Sequence, residues 1–198
     1  NYQPSMIYLI IVTDYYGTEC IFGKMAWSFY TRRIREVGKS QKFKCSIYLL
    51  HGMLKHVKTK ESYYCGISTR SVHKRLCDKD HHINEIRERL NSIYAGRISN
   101  VNKPSTNAIR LVEKIITAYL ADSVGRNRML NLTNFNYPKQ NMYIVNEWWK
   151  KDNEYLWQRQ PKNSPSHILP DVLTYHYWDS DDIEMYECKK LKKVSEYR

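Results

Sequence analysis

Residues 46–75 constrain this chain more than any other stretch. Two short β-type runs, Ser46-Ile47-Tyr48 and Tyr64-Cys65-Gly66, each carry a tyrosine and lead into a basic segment containing Lys74-Arg75. Two strands joined by a hairpin and followed by a helix can bring two phenols and a guanidinium to one point. That combination suits a phosphodiester, because hydroxyls and guanidinium groups both bond phosphate oxygens. Taken singly, each tyrosine reads as a core residue with a satisfied hydroxyl, and Arg75 as a solvated helix residue.

The 198 residues are 42% hydrophobic, enough for one domain, or for one core with elaborated ends. A net charge of +12, from 32 Lys+Arg against 20 Asp+Glu, favours a polyanionic partner, either nucleic acid or an anionic membrane surface. The charge is uneven. Across residues 32–60, Arg32, Arg33, Arg35, Lys39, Lys42, Lys44, Lys55, Lys58 and Lys60 face a single acid, Glu36, whereas residues 179–187 are acidic. The 17 tyrosines suit stacking on bases and bonding to phosphate, and equally suit a β-rich core.

The five cysteines are odd in number and lack a Cys-x-x-Cys pair, so they read as reduced thiols in an intracellular compartment, cytoplasmic or nuclear. Cys77, His81 and His82 have a metal-like local spacing without an obvious second ligand pair for zinc. The longest apolar run, residues 6–12, is far too short to span a bilayer and lacks the flanks of a signal peptide, so no membrane partner is expected. Asn1 and not Met opens the chain, which is compatible with a processed product or a piece of a longer protein.

Periodicity and punctuation predict strands over residues 6–13, 44–50 and 62–67. A basic amphipathic helix is expected over 25–37, and a longer one over 71–94. In the latter Val72, Leu76, Ile83, Ile86, Leu90 and Ile93 share one helical face. Residues 97–101 read as an edge strand, and Pro104-Ser105-Thr106-Asn107 as the start of a helix over 108–120, stopped by Gly125. Residues 131–138 read as a loop, 147–157 as an aromatic helix, 162–170 as a proline-bearing crossing, and 175–178 as an aromatic strand.

Glu113 is the sharpest single clue. It lies four residues after Ile109 and three before Ile116, so it shares their apolar stripe. A carboxylate there needs a cation, a donor network or a metal. Two readings stand side by side: a buried ion pair with Arg75 or a neighbour of Lys114, or a metal ligand at a phosphate site.

In this order of residues the chain resembles the GIY-YIG nuclease superfamily. Ser46-Ile47-Tyr48 stands where that family has Gly-Ile-Tyr, and Tyr64-Cys65-Gly66 where it has Tyr-Ile-Gly. Lys74-Arg75-Leu76 is similar to its helix arginine, Leu111-Val112-Glu113 to its helix glutamate, and Leu130-Asn131 to its closing Leu-Asn. The resemblance spans residues 44–136 and implies an α+β fold, a small antiparallel sheet flanked by helices. Residues 1–43 would then be an N-terminal strand and basic helix packed on that core, and 137–198 an aromatic-rich extension.

The resemblance further implies a metal-dependent DNA endonuclease. Glu113 would bind one Mg²⁺ or Mn²⁺, and Arg75 would hold the scissile phosphate. Tyr48 would act as general base and Tyr64 would orient water or phosphate. A phenol with a pKa near 10 needs a nearby cation or a proton relay to serve as a base. His73, His81 and His82 are candidates for that relay, and Asn131 is an accessory residue. Arg32, Arg33, Arg35, Lys42, Lys44, Lys74 and Lys79 would neutralise phosphates of double-stranded DNA. Two other classes fit the same chain: a non-catalytic nucleic-acid-binding module, and an adaptor for an acidic protein.

Overall fold

The computed structural model describes residues 10–13, 19–30, 46–57, 59–98, 105–133, 135–139, 141–149, 169–170, 172–177 and 182–186. Eight strands form one sheet: β1 (Ile10–Thr13), β2 (Glu19–Tyr30), β3 (Ser46–Met53), β4 (Glu61–Ser68), β5 (Leu90–Ile98), β6 (Met142–Trp149), β7 (Val172–His176) and β8 (Asp182–Tyr186). Their order is β4-β3-β5-β2-β6-β7-β8, with β1 paired to β2. Among the described residues three helices accompany them: α1 (Val72–Leu76), α2 (Ile83–Ile86) and α3 (Thr106–Val124). The class is mixed α+β. The sheet is wider than the small one expected, and its β2–β6 pair is parallel while the other pairs are antiparallel.

At the β4-β3-β5 end, period-2 alternation splits the side chains between two cores. Tyr48, Leu50, Tyr64, Ile93 and Ala95 bury on one face with Val72, Leu76, Ile83 and Ile86. Ile47, Leu49, Tyr63, Cys65 and Tyr94 bury on the other face with Ala108, Ile109, Val112 and Ile116 of α3. The hairpin β3–β4 is therefore sandwiched, with α1 and α2 on one side and α3 on the other.

Four expected elements are corrected. Residues 25–30 lie in strand β2, not in a helix, because aromatic and apolar residues there sit between β5 and β6 with ladder partners on both sides; residues 31–37 lie outside the described residues. The long helix over 71–94 is two short helices and a 3₁₀ turn at Arg87–Arg89, followed by strand β5. Yet all six residues of its predicted stripe bury in one cluster, so the apolar set was right and the element was not. Arg97 and Ile98 belong to β5, which is central and not an edge, and residues 99–101 are not described. Glu147 to Trp149 end strand β6 and are not helical, while residues 150–157 are not described.

Helix α3 begins as its sequence predicts. Ser105 is its N-cap, and its hydroxyl accepts from the Ala108 N–H at 3.1 Å. Gly125 ends the helix at φ 92°, a conformation that favours glycine. Ser105→Ala is expected to cost about 1 kcal/mol and to lower the thermal midpoint by roughly 2–4 °C, measured by circular dichroism.

Candidate active site

Cross-strand pairing sets Tyr48 opposite Gly66, and Leu50 opposite Tyr64. The Tyr48 and Tyr64 rings thus stand on the same face, their centroids 6.0 Å apart. Glycine at 66 is what lets them meet there. A Cβ built on it would lie 2.6 Å from both Tyr48 Oη and Tyr64 Cε1.

His81 closes the pocket from the loop between α1 and α2. It is buried, and its Nε2 lies 2.6 Å from Tyr48 Oη. The Ile83 N–H donates to His81 Nδ1 at 2.9 Å, so the ring hydrogen sits on Nε2 and is donated to Tyr48. With that lone pair filled, the Tyr48 proton is directed elsewhere. The Tyr64 ring lies beside that of Tyr48, centroids 6.0 Å apart, and the two phenols bear on one another's titration. The polar chain therefore runs from Ile83 through His81 to Tyr48.

Burial dominates the titration of both phenols. Desolvation pushes Tyr48 far above its ordinary value, and Arg75 only partly offsets it. Tyr64 is raised as well, first by burial; Tyr48 and Arg75 pull it down, and the negative charge of Glu113 pushes it up.

Arg75 leaves the last turn of α1 and donates from Nη1 to Asp78 Oδ2 at 2.8 Å. Arg70 donates to the same oxygen. One exposed carboxylate is thus gripped by two guanidinium groups, the arrangement that a phosphate oxygen would meet. The sequence reading missed Arg70 and Asp78, although the three-residue spacing from Arg75 to Asp78 is the signature of a helical ion pair. Asp78→Asn should free both arginines. We expect on the order of a fivefold rise in affinity for a short DNA duplex, read by fluorescence anisotropy.

Glu113 lies in the apolar stripe of α3 and is 8% exposed. An ion pair with Arg75, one of the readings open for Glu113, is not formed; Arg75 pairs with Asp78. Among the described residues the Glu113 carboxylate has no hydrogen-bond or ion-pair partner. Burial pushes its pKa up to about 7, and Arg110 offsets this only partly. Its charge is felt on both sides of edge strand β4, by Tyr64 on one face and by Cys65 on the other. Together with Asn107, Arg110, Leu111 and Lys114, it lines an open cleft of about 480 Å³.

The remaining sequence candidates separate. His82 sits with its ring 5.3 Å from Tyr64 and pairs with Glu85 at 3.0 Å. His73 meets Cys77 one turn on, Nε2 to Sγ 3.9 Å. Asn131 does not enter the pocket. Its amide accepts from the Cys65 N–H at 3.0 Å and donates to the Cys65 carbonyl at 2.7 Å, pairing the outer edge of β4 as another strand would. The Leu130 N–H adds a bond to the Tyr63 carbonyl at 2.7 Å, and Arg128 binds Glu61 at 2.9 Å. These bonds fix the strand that carries Tyr64. Lys74 and Lys79 are exposed near α1, whereas Arg32, Arg33, Arg35, Lys42 and Lys44 lie outside the described residues.

Among the described residues no three His, Cys, Asp or Glu side chains gather as a metal-binding group, and no helix is long and apolar enough to cross a membrane. No protein-family model, curated protein or solved structure matches the chain.

Proposed function

We propose that the chain is a metal-dependent DNA endonuclease whose GIY-YIG-like core comprises β3, β4, β5, α1 and α3. The observation that carries this reading is the buried tyrosine pair, Tyr48 and Tyr64 with ring centroids 6.0 Å apart, packed against the helix that bears Arg75. A buried carboxylate without an internal cation fits Mg²⁺ or Mn²⁺, hard ions that take one or two carboxylates and complete their shell with phosphate oxygens and water. Bound at Glu113, such an ion supplies Lewis-acid stabilisation of the charge that builds on the phosphate and the leaving oxygen.

The chain's own residues supply the rest. Arg75 exchanges Asp78 for a non-bridging oxygen of the scissile phosphate, a charge-assisted bond that strengthens as charge develops. The sequence reading placed the base at Tyr48, but burial and the His81 bond favour a different division. Tyr48 stays protonated, and Tyr64, itself a protonated phenol, orients the attacking water and can take its proton only as it passes its own on. His82, beside Tyr64 and joined to exposed Glu85, offers that proton a route to solvent.

A non-catalytic nucleic-acid-binding module is the second reading. It is favoured by a specific observation: Tyr48 is fully buried and Arg75 is already paired. Plasmid DNA with Mg²⁺ separates the two. The nuclease reading expects nicking or linearisation by the parent chain and none by Glu113→Ala. Salt-sensitive binding without turnover identifies the module, and no binding to nucleic acid leaves the acidic-protein adaptor. Equal cleavage by Glu113→Ala would remove Glu113 from the site.

A further inference from the structure

Arg110 and Lys114 stand one turn apart on α3 and line the cleft that also holds Glu113. Among the described residues neither forms an ion pair or a side-chain hydrogen bond. Two unpaired cations thus border a buried carboxylate that is itself unpaired. Arg110 reaches Glu113 only as a charge at a distance, which leaves the carboxyl raised. No internal pairing satisfies these three groups, whereas a phosphate chain with a divalent ion would satisfy all of them.

The cleft's chemistry is more specific than charge alone. Asn107, Leu111 and Lys114 recur at intervals of four and three and therefore form one helical stripe, with Arg110 on its flank. Cations set around an apolar side chain and an amide match a sugar–phosphate unit. Phosphate oxygens meet Arg110 and Lys114, and the apolar face of a deoxyribose meets Leu111. The position also complements α1. Helices α1 and α3 cover opposite faces of β4, which is the edge strand, so cations of both helices flank the strand that carries Tyr64.

We infer that the N-terminal half of α3 forms a phosphate-binding wall for DNA on the Glu113 face of β4, with Arg110 and Lys114 holding phosphates next to the scissile one. The inference rests on the nuclease reading for the position of the scissile phosphate, but its test does not depend on cleavage. A short fluorescein-labelled duplex is titrated by anisotropy over a range of KCl, with Ca²⁺ in place of Mg²⁺. For the double variant Arg110→Ala, Lys114→Ala we expect at least tenfold weaker binding at low salt. The slope of log affinity against log salt should also fall by about two, roughly one for each phosphate no longer neutralised. At pH 5, where Glu113 is protonated, the thermal midpoint should stay unchanged, because neither side chain is paired. The exchange Arg110→Lys, Lys114→Arg should keep the slope.

Unchanged affinity and slope in the double variant, with weaker binding by Lys74→Ala, Lys79→Ala, would overturn the α3 wall and leave Glu113-dependent cleavage untouched. A reduced slope in the double variant, where the parent chain binds without cleaving, would support the wall and sink the nuclease reading. A parent chain that does not bind the duplex overturns both.

Discussion

At pH 8, Glu113→Gln is expected to fold more stably than the parent chain while losing metal-dependent cleavage. Burial raises the Glu113 pKa from 4.5 to about 7 in the folded chain. Between those values the unfolded chain has released its proton and the folded chain still holds it. Stability therefore falls as pH rises through this window, and above pH 7 the charged carboxylate costs the fold its full penalty, on the order of 2–3 kcal/mol. Glutamine has the shape without the charge. The two chains should melt together at pH 4, and at pH 8 the variant should melt higher by roughly 5–10 °C.

Millimolar Mg²⁺ should close that gap by stabilising only the parent, since a ligand that binds the native state adds to its stability. Metal affinity should drop about tenfold for each pH unit below 7, because the proton and the ion compete for one carboxylate. Cleavage by the variant should fall by on the order of 10²–10³-fold, as when an electrostatic stabiliser of the transition state is removed. Circular dichroism melts at the two pH values, with and without Mg²⁺, decide the matter. A variant no more stable than the parent at pH 8 would mean that Glu113 has a partner after all.

Sequence and structure agree where one residue type answers one local need. The Ser105 cap, the Gly125 stop and the burial of Glu113 in its stripe were all legible, because each depends on neighbours within a turn of helix. The six apolar residues from Val72 to Ile93 show the limit. Their spacing found a common buried cluster but not the chain path, since Asp78 to Asp80 interrupt the helix and Leu90 starts a strand with partners far away in sequence. Strands β2 and β6 failed for a related reason. Their identity depends on pairing with each other across more than a hundred residues, and a short apolar run does not reveal its partner. At the site, the four residues Tyr48, Tyr64, Arg75 and Glu113 were chosen by type and order. The burial of Tyr48 against His81, on which the proposed division of labour between the tyrosines rests, was not legible. Asn131 was an accessory candidate by its place in the order, and its amide holds the backbone of β4.

Gly66→Ala is expected to damage the site more than the fold. The added Cβ would sit 2.6 Å from Tyr48 Oη and Tyr64 Cε1, and 2.7 Å from Tyr48 Cζ. Ordinary carbon contacts are nearer 3.5–4.0 Å, so the rings must part by about 1 Å. Tyr48 has little room to give: it is fully buried and its hydroxyl is bonded to His81. Tyr64, at 9% exposure, has more room than Tyr48, so it is the phenol that moves. Overpacking of this kind costs about 1–3 kcal/mol, while a 1 Å misplacement of a reacting group costs about a hundredfold in rate. Gly52→Ala is the control. Its Cβ would press on the Arg89 carbonyl at 2.7 Å and the Leu90 Cα at 3.0 Å, backbone atoms at the far end of β3. It should cost at least as much stability and leave cleavage per folded molecule unchanged. If the two glycine variants instead lose cleavage in proportion to the stability each loses, the tyrosine pair is a packing feature and Tyr64 is not at the reacting centre.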